Sequence, residues 1–295
     1  MKHMIYNYDV INNTFCRKGE YMKTIAFYNV KGGGGKSTSA ATIAHMMAAK
    51  HGKKVLLIDL DPQGCVTDLF LGETWFSNWT ISDIEDMFAG KSFCEFSVES
   101  LFVDPDMDIH KCIHKTEYEG LDVIPAFLTL AEVEERVKAN IRVPQQFCLK
   151  NHIEAVRDEY DFCVLDCSPS VSLVNINGLA MTDKVYVPMN CDKWSLMGII
   201  AAQRLMNTVR RYNPTLELGG CFFTFWRARK INDEAEQLLR EYLGDRLIPI
   251  TIGSNQIALG STYAHKPILA MDTGSRKSRV TSQYLALTDY IVNHS

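Results

Sequence analysis

The sequence predicts an α/β protein: a doubly wound, mostly parallel sheet with helices on both faces. Three observations predict it. From Met22 onward, short apolar runs alternate with helical patterns, as parallel strands and their crossover helices do. A glycine-rich stretch, Lys31-Gly32-Gly33-Gly34-Gly35-Lys36-Ser37-Thr38, separates the first apolar run from the first helical pattern. Acids stand where apolar runs end, at Asp59, Asp61 and Asp166, and ligands of such sheets bind beyond the carboxyl ends of the strands.

Met1 to Tyr21 are polar and aromatic and lack the apolar stretch of a signal peptide. They read as an N-terminal extension, residues 1–21, expected to be disordered. The first strand is predicted over Thr24–Asn29 and the first helix over Lys36–His51, with Gly52 placed to end it. Val55-Leu56-Leu57-Ile58 is continuously apolar, the pattern of a strand buried on both faces. It runs into Asp59-Leu60-Asp61-Pro62-Gln63-Gly64, a strand end and a turn. Between Leu71 and Tyr118 the pattern is mixed, and one short helix near Ile81 to Phe88 is expected. Further strands are predicted at Leu121–Pro125, Phe162–Asp166, Lys184–Pro188 and Gly220–Thr224. Helices are expected near Leu130–Lys138, Leu149–Glu159, Leu196–Tyr212 and Asn232–Tyr242, then a last strand and a closing helix near Val280–Val292. No repeat or low-complexity linker interrupts the pattern, so residues 22–295 are expected as one domain.

Composition narrows the function classes. With 46% hydrophobic and 22% charged residues in 295, the chain can bury a sizeable core. A formal charge of −4 and a pI near 6.1 exclude a globally basic nucleic-acid binder, so any DNA contact needs local patches. No apolar run approaches the eighteen or so residues of a membrane span. Nine cysteines without a Cys-x-x-Cys pair point to a reducing cytoplasm. Cys163 and Cys167 flank a strand and are expected to pack as small apolar groups rather than bind metal.

Glycines between a strand and a helix let backbone N–H groups surround phosphate oxygens, and the helix start adds its positive end. In that setting Lys36 reaches the β- and γ-phosphates and the Ser37 hydroxyl holds Mg²⁺. The plain phosphate-loop pattern asks for glycine where Val30 stands, and a second lysine, Lys31, opens the loop instead. Asp59 and Asp61, two apart across the strand end, are expected to face opposite ways. Pro62 keeps Asp61 out of the helical region, so one acid can serve the metal and the other the attacking water.

Lys-Gly-Gly-x-Gly-Lys-Ser/Thr resembles the deviant Walker A loop of the ParA/MinD superfamily, to which the nitrogenase iron protein also belongs. Asp59 to Gly64 is similar to the Walker A′ motif of ParA/Soj-type partition ATPases, and Phe162 to Ser170 to their Walker B strand. Pro188 to Asp192 with Leu196 and Gly198, Leu121 to Ala126, and Lys266-Pro267-Ile268 also fit, so the resemblance runs from Met22 to Val292. It implies an ATPase of the small type, without a long N-terminal helix-turn-helix region, using ATP and Mg²⁺. Lys36, Ser37 and Thr38 with Gly32, Gly33, Gly34 and Gly35 would hold the phosphates, and Asn255 would contact the nucleotide. Ser37, Asp59 and Asp166 would serve the metal and its waters, and Asp61 the hydrolytic water. Lys31 would reach across a homodimer to the partner's nucleotide. Three departures stand out: Gly34 replaces Val or Ile and is expected to loosen the loop; Walker B keeps one proline of two; and Ile252-Gly253-Ser254-Asn255 lacks the family's Pro and Arg.

The resemblance further implies ATP-dependent, non-specific DNA binding, nucleoid association and a ParB-like centromere-binding partner. Candidate DNA contacts are Arg227 with Arg229 and Lys230, and Arg276 with Lys277 and Arg279. Arg204 with Arg210 and Arg211 forms a third basic group. A membrane regulator of the MinD kind would want a basic amphipathic tail, which Tyr290 to Ser295 does not offer. An iron–sulfur protein would want a cysteine just beyond Walker B, where residues 171–176 have none. The alternative is a ParA-like ATPase that positions another cargo or regulates conjugation or cell division.

Overall fold

The computed structural model describes residues 21–75, 80–88, 96–139, 144–227, 230–254, 256–274 and 277–295. All of the N-terminal extension but Tyr21 lies outside them. Seven strands form the sheet: β1 Lys23–Phe27, β2 Val55–Leu60, β3 His114–Lys115, β4 Leu121–Ile124, β5 Phe162–Cys167, β6 Lys184–Met189 and β7 Glu217–Phe223. Their order is β3-β4-β2-β5-β1-β6-β7. Every pairing is parallel except β3 with β4.

The apolar runs explain the layering. β2 and β5 are buried along their whole length, as strands covered on both faces must be. Alternate side chains feed two cores: Leu56, Ile58 and Leu60 one, Val55 and Leu57 the other. Against the second face lies α1, Lys36–His51, whose Ala40, Ile43, Ala44 and Met47 share a core with Tyr284, Leu287 and Ile291 of the helix Arg279–His294. Gly52, at φ 61°, ends α1 and donates its N–H to Ala48 O at 3.1 Å.

Chain direction places the site. β1 sits between β5 and β6. The chain leaves β1 to build β2 beyond β5, and leaves β5 to build β6 on the far side of β1. That reversal opens a crevice at the C-terminal ends of β1, β2 and β5.

Several expectations change. The strand ahead of the closing helix is absent among the described residues. Leu247 and Gly253 make only isolated bridges to Cys221 and Trp226, and Pro249 between them has no N–H for a ladder. The mixed stretch after Leu71 contains β3 and two short helices, Val98–Val103 and Ile109–Cys112, besides Ile81–Phe88. The helix expected over Leu149–Glu159 stops at Ile153 and tightens into a 3₁₀ turn, Glu154–Val156. Among the described residues no helix is long and apolar enough to cross a membrane, and Cys163 and Cys167 are buried and free.

Candidate nucleotide-binding site

The glycine loop is held from three sides. Asn29, buried at the end of β1, donates its amide to Pro188 O at 2.9 Å and accepts the Lys31 N–H at 3.0 Å. Thr224, just past β7, donates its hydroxyl to Gly34 O at 2.8 Å, and Asn190 donates to Gly33 O at 3.3 Å. Gly35 sits at φ 78°, and a Cβ there would lie 3.1 Å from the Phe225 ring. At Gly34 the structure shows a close approach. A Cβ there would lie 3.0 Å from Pro188 O, so glycine lets the loop approach β6.

α1 starts at this loop without a side-chain cap and without an acid in its first turn. Its first N–H groups therefore keep their capacity for an anion. A cavity of about 300 Å³ opens in front of them, bordered by Gly33, Lys36, Ser37, Thr38, Asp61 and Phe225. Lys36 is 6% exposed. Burial lowers its pKa, against the pull of Asp166 and Asp61, and its Nζ makes one long hydrogen bond, 3.5 Å to Lys31 O.

Beneath the loop two carboxylates face each other across neighbouring strands, Asp59 of β2 in register with Asp166 of β5. Both are fully buried. Burial raises the pKa of each, and for Asp166 the charge of Asp59 adds to the effect. Their surroundings differ. Asp59 accepts the Thr67 N–H at 2.9 Å, the Thr67 hydroxyl at 2.8 Å and the Asp61 N–H at 3.1 Å. Neither oxygen of Asp166 has a hydrogen-bond partner of good geometry, although the Ser37 hydroxyl lies close enough to favour its ionised form. Its open acceptors, with the Ser37 hydroxyl nearby, fit a divalent cation. Mg²⁺ is commonly held by one or two protein groups together with phosphate and water, a mode open to Asp166 and Ser37. The expectation that Asp59 and Asp61 face opposite ways fails as stated, because side chains two apart on a strand share a face. Depth separates them: Asp59 is turned to Thr67, whereas Asp61, past the strand end, borders the cavity.

A family model described as an AAA domain matches residues 22–218. The sporulation initiation inhibitor protein Soj of Bacillus subtilis is 34% identical over 264 residues, 88% of this chain and 94% of its own. The chain belongs to the ParA/Soj family. The chromosome partitioning protein ParA of Caulobacter vibrioides is 31% identical over 277 residues, covering 92% and 94% of the two chains. The fold is shared with cobyrinic acid a,c-diamide synthase of Mycobacterium smegmatis, solved with an ATP analog and magnesium. That likeness has a TM-score of 0.69 at 24% identity, over 92% of this chain and 95% of the other.

Within this ParA/Soj-family site Lys31 stands apart from Lys36. Its ammonium pairs with Asp192, at the start of the helix Lys193–Val209. Of the basic groups, Arg227 and Arg279 converge on a second cleft of about 230 Å³. There Arg227 donates to Ser254 Oγ at 2.9 Å, so a guanidinium reaches the segment that lacks the family's arginine. Lys277 donates its ammonium to Asp272 O. Arg210 is tied to Leu216 O at 2.8 Å and to Asn207 at 2.7 Å. Arg229, Asn255, Arg276 and the Lys230 side chain lie outside the described residues.

Residues absent from the sequence reading complete the site. Thr67 links Asp59 to the Ala126 N–H at 2.9 Å. Asn175 clasps the turn after β5, donating to Ser168 O at 3.0 Å and Ser170 O at 2.8 Å. Asn29 and Thr224 share one overlooked signal, a polar residue that ends the apolar run of a strand.

Proposed function

We propose that this ParA/Soj-family protein, as one ATPase domain over residues 22–295, binds ATP with Mg²⁺ at the glycine loop and hydrolyses it as a homodimer. In that reading the ATP-bound dimer holds DNA without reading its sequence, and a ParB-like partner stimulates turnover to segregate a plasmid or chromosome. One observation carries the catalytic part: a fully buried Asp166 with no hydrogen-bond partner of good geometry, beneath an uncapped helix start that also carries the buried Lys36. A protein keeps such an unpaired buried acid where a ligand completes it.

Lys36 and the first N–H groups of α1 bind phosphate oxygens, and Thr38 adds its hydroxyl at the cavity wall. Magnesium, when bound beside Ser37 and Asp166, neutralises phosphate charge. Asp61 borders the cavity and orients the water that attacks the γ-phosphorus. Asp59 is held by Thr67 and keeps the charge beneath the metal fixed. Lys31 serves the partner's nucleotide, the kind of cation in trans that is worth roughly 10³–10⁵ in rate. Arg227 and Arg279, doubled by a two-fold axis, supply phosphate contacts for DNA together with Arg229, Lys230, Arg276 and Lys277, and binding would place the protein on the nucleoid.

Sedimentation with ATP, ADP or no nucleotide, each with and without non-specific duplex DNA, tests the proposal. A dimer that carries DNA only in ATP is expected. Arg227→Glu with Arg279→Glu should lower the slope of log affinity against log salt by about 0.9 for each lost phosphate contact. DNA binding that ignores the nucleotide, or an unchanged slope, would place DNA elsewhere.

A further inference from the structure

The two oxygens of Asp192 do different work. Oδ1 caps the helix Lys193–Val209, accepting the Ser195 N–H at 2.9 Å and the Ser195 hydroxyl at 3.1 Å. Oδ2 takes the Lys31 ammonium. Partial burial of Asp192 works against ionisation, yet Lys31 and Ser195 hold its pKa below the usual carboxylate range, which keeps Asp192 a carboxylate at neutral pH.

The same helix grips the stem of Lys31. A Cβ on Gly198 would lie 2.6 Å from Asn29 Oδ1 and 3.4 Å from Lys31 Cβ, so the helix packs directly on Asn29 and on Lys31 itself. Asn29 Oδ1 in turn accepts the Lys31 N–H. Backbone and side chain of Lys31 are both fixed to one subunit. The pair is not sealed, with side-chain exposures of 27% for Lys31 and 38% for Asp192, so a phosphate from outside can compete for the ammonium.

We propose that Asp192 is a positioning residue that holds Lys31 within the isolated subunit, and that this ion pair opens when Lys31 engages the triphosphate bound to a second copy of the chain. This rests on the trans role of Lys31 proposed above. Opening the pair leaves Oδ1 on Ser195, so the helix keeps its cap while Lys31 is released. Asp192 thereby sets the protein concentration at which a triphosphate drives two subunits together.

Asp192→Asn and Asp192→Ser separate the two jobs, because Asn and Ser cap helices as Asp does and carry no charge. Sedimentation equilibrium of the full chain, with and without a nonhydrolysable ATP analogue, reads the dimer dissociation constant, and the melting midpoint reports the fold. A partly exposed ion pair restrains its partner by about fivefold at the upper end of measured values. Two subunits each release one pair, so the constant should fall by about 25-fold for either variant, with the analogue only. An unchanged or weaker dimer in both variants, at wild-type melting midpoints, would overturn the proposal, as would equal tightening without nucleotide. Lys31→Ala separates the failures. If it dimerises at wild-type strength, the trans role itself is wrong. If it stays monomeric while both Asp192 variants pair as wild type, only the restraint by Asp192 is wrong.

Discussion

Asp166→Asn should stabilise the protein when no ligand is present and weaken its response to magnesium. Asp166 is fully buried, lacks a hydrogen-bond partner of good geometry and faces Asp59 across the β2–β5 pairing. Asparagine has nearly the same shape and removes the charge. An unsatisfied buried charged group costs at least about 1–3 kcal/mol; because the amide also wants partners, the substitution should return about 2 kcal/mol. For a chain of 295 residues the entropy of unfolding is about 0.6 kcal/mol/K, so the melting midpoint in EDTA should rise by about 3 °C. With ATP and Mg²⁺ the order reverses, because the wild-type carboxylate is then neutralised and the variant has no charge to offer. The loss of about 2 kcal/mol of metal coupling corresponds to about 30-fold weaker magnesium dependence. Burial raises the pKa of Asp166, so lowering the pH protonates the wild type and brings the two midpoints in EDTA together. Thermal melting in EDTA, in ATP alone and in ATP with Mg²⁺ measures all three. A variant that melts below wild type in EDTA, or that keeps the full magnesium-dependent shift, would refute the reasoning.

Two further outcomes follow from the geometry. Gly35→Ala forces an L side chain to φ 78° with its Cβ 3.1 Å from the Phe225 ring; strain of about 1–2 kcal/mol should weaken ATP binding by about tenfold in calorimetry, and unchanged affinity would contradict this loop shape. Glu99, fully buried, accepts the Phe127 N–H at 2.8 Å and the Thr129 hydroxyl at 3.2 Å, and burial pushes its pKa up to about 7. The folded state then binds a proton that the unfolded chain releases above the ordinary value of 4.5, so this group's contribution falls as pH rises from about 4.5 to 7, by at most about 1.4 kcal/mol per pH unit. Glu99→Gln should flatten that window and raise the midpoint more at pH 8 than at pH 5; an equal change at both would show that Glu99 does not titrate there.

The sheet and its phosphate loop were legible because their signals are local. Val55 to Ile58 and Phe162 to Leu165 are apolar on both faces, and a glycine run between strand and helix has few other uses. Helix α1 falls where the sequence predicts it, with Gly52 as its stop. The strand expected somewhere ahead of the closing helix does not form among the described residues: Leu247 and Gly253 make isolated bridges, and Pro249 withholds a donor that a ladder would need. The short elements around Val98 and Ile109 are set by packing against the sheet, which no periodicity of their own records. Residue types and spacing singled out Lys36, Ser37, Asp59 and Asp166 as candidates, and the structure gathers them around the glycine loop and the facing ends of β2 and β5. Asn29, Thr67, Asn175 and Thr224 act through hydrogen bonds to distant backbone atoms, such as Asn29 to Pro188 O. Asp192 carried a readable signal, an acid three residues before Ser195, but that signal announces a helix cap and not the ion pair with Lys31.

The proposed function divides the work between two lysines, Lys36 within a subunit and Lys31 between subunits. Sedimentation of Lys31→Ala in a nonhydrolysable ATP analogue, with bound nucleotide measured in the same sample, tests it most directly. Nucleotide should bind at wild-type affinity to a protein that stays monomeric where wild type pairs. A variant that pairs at wild-type strength would contradict it.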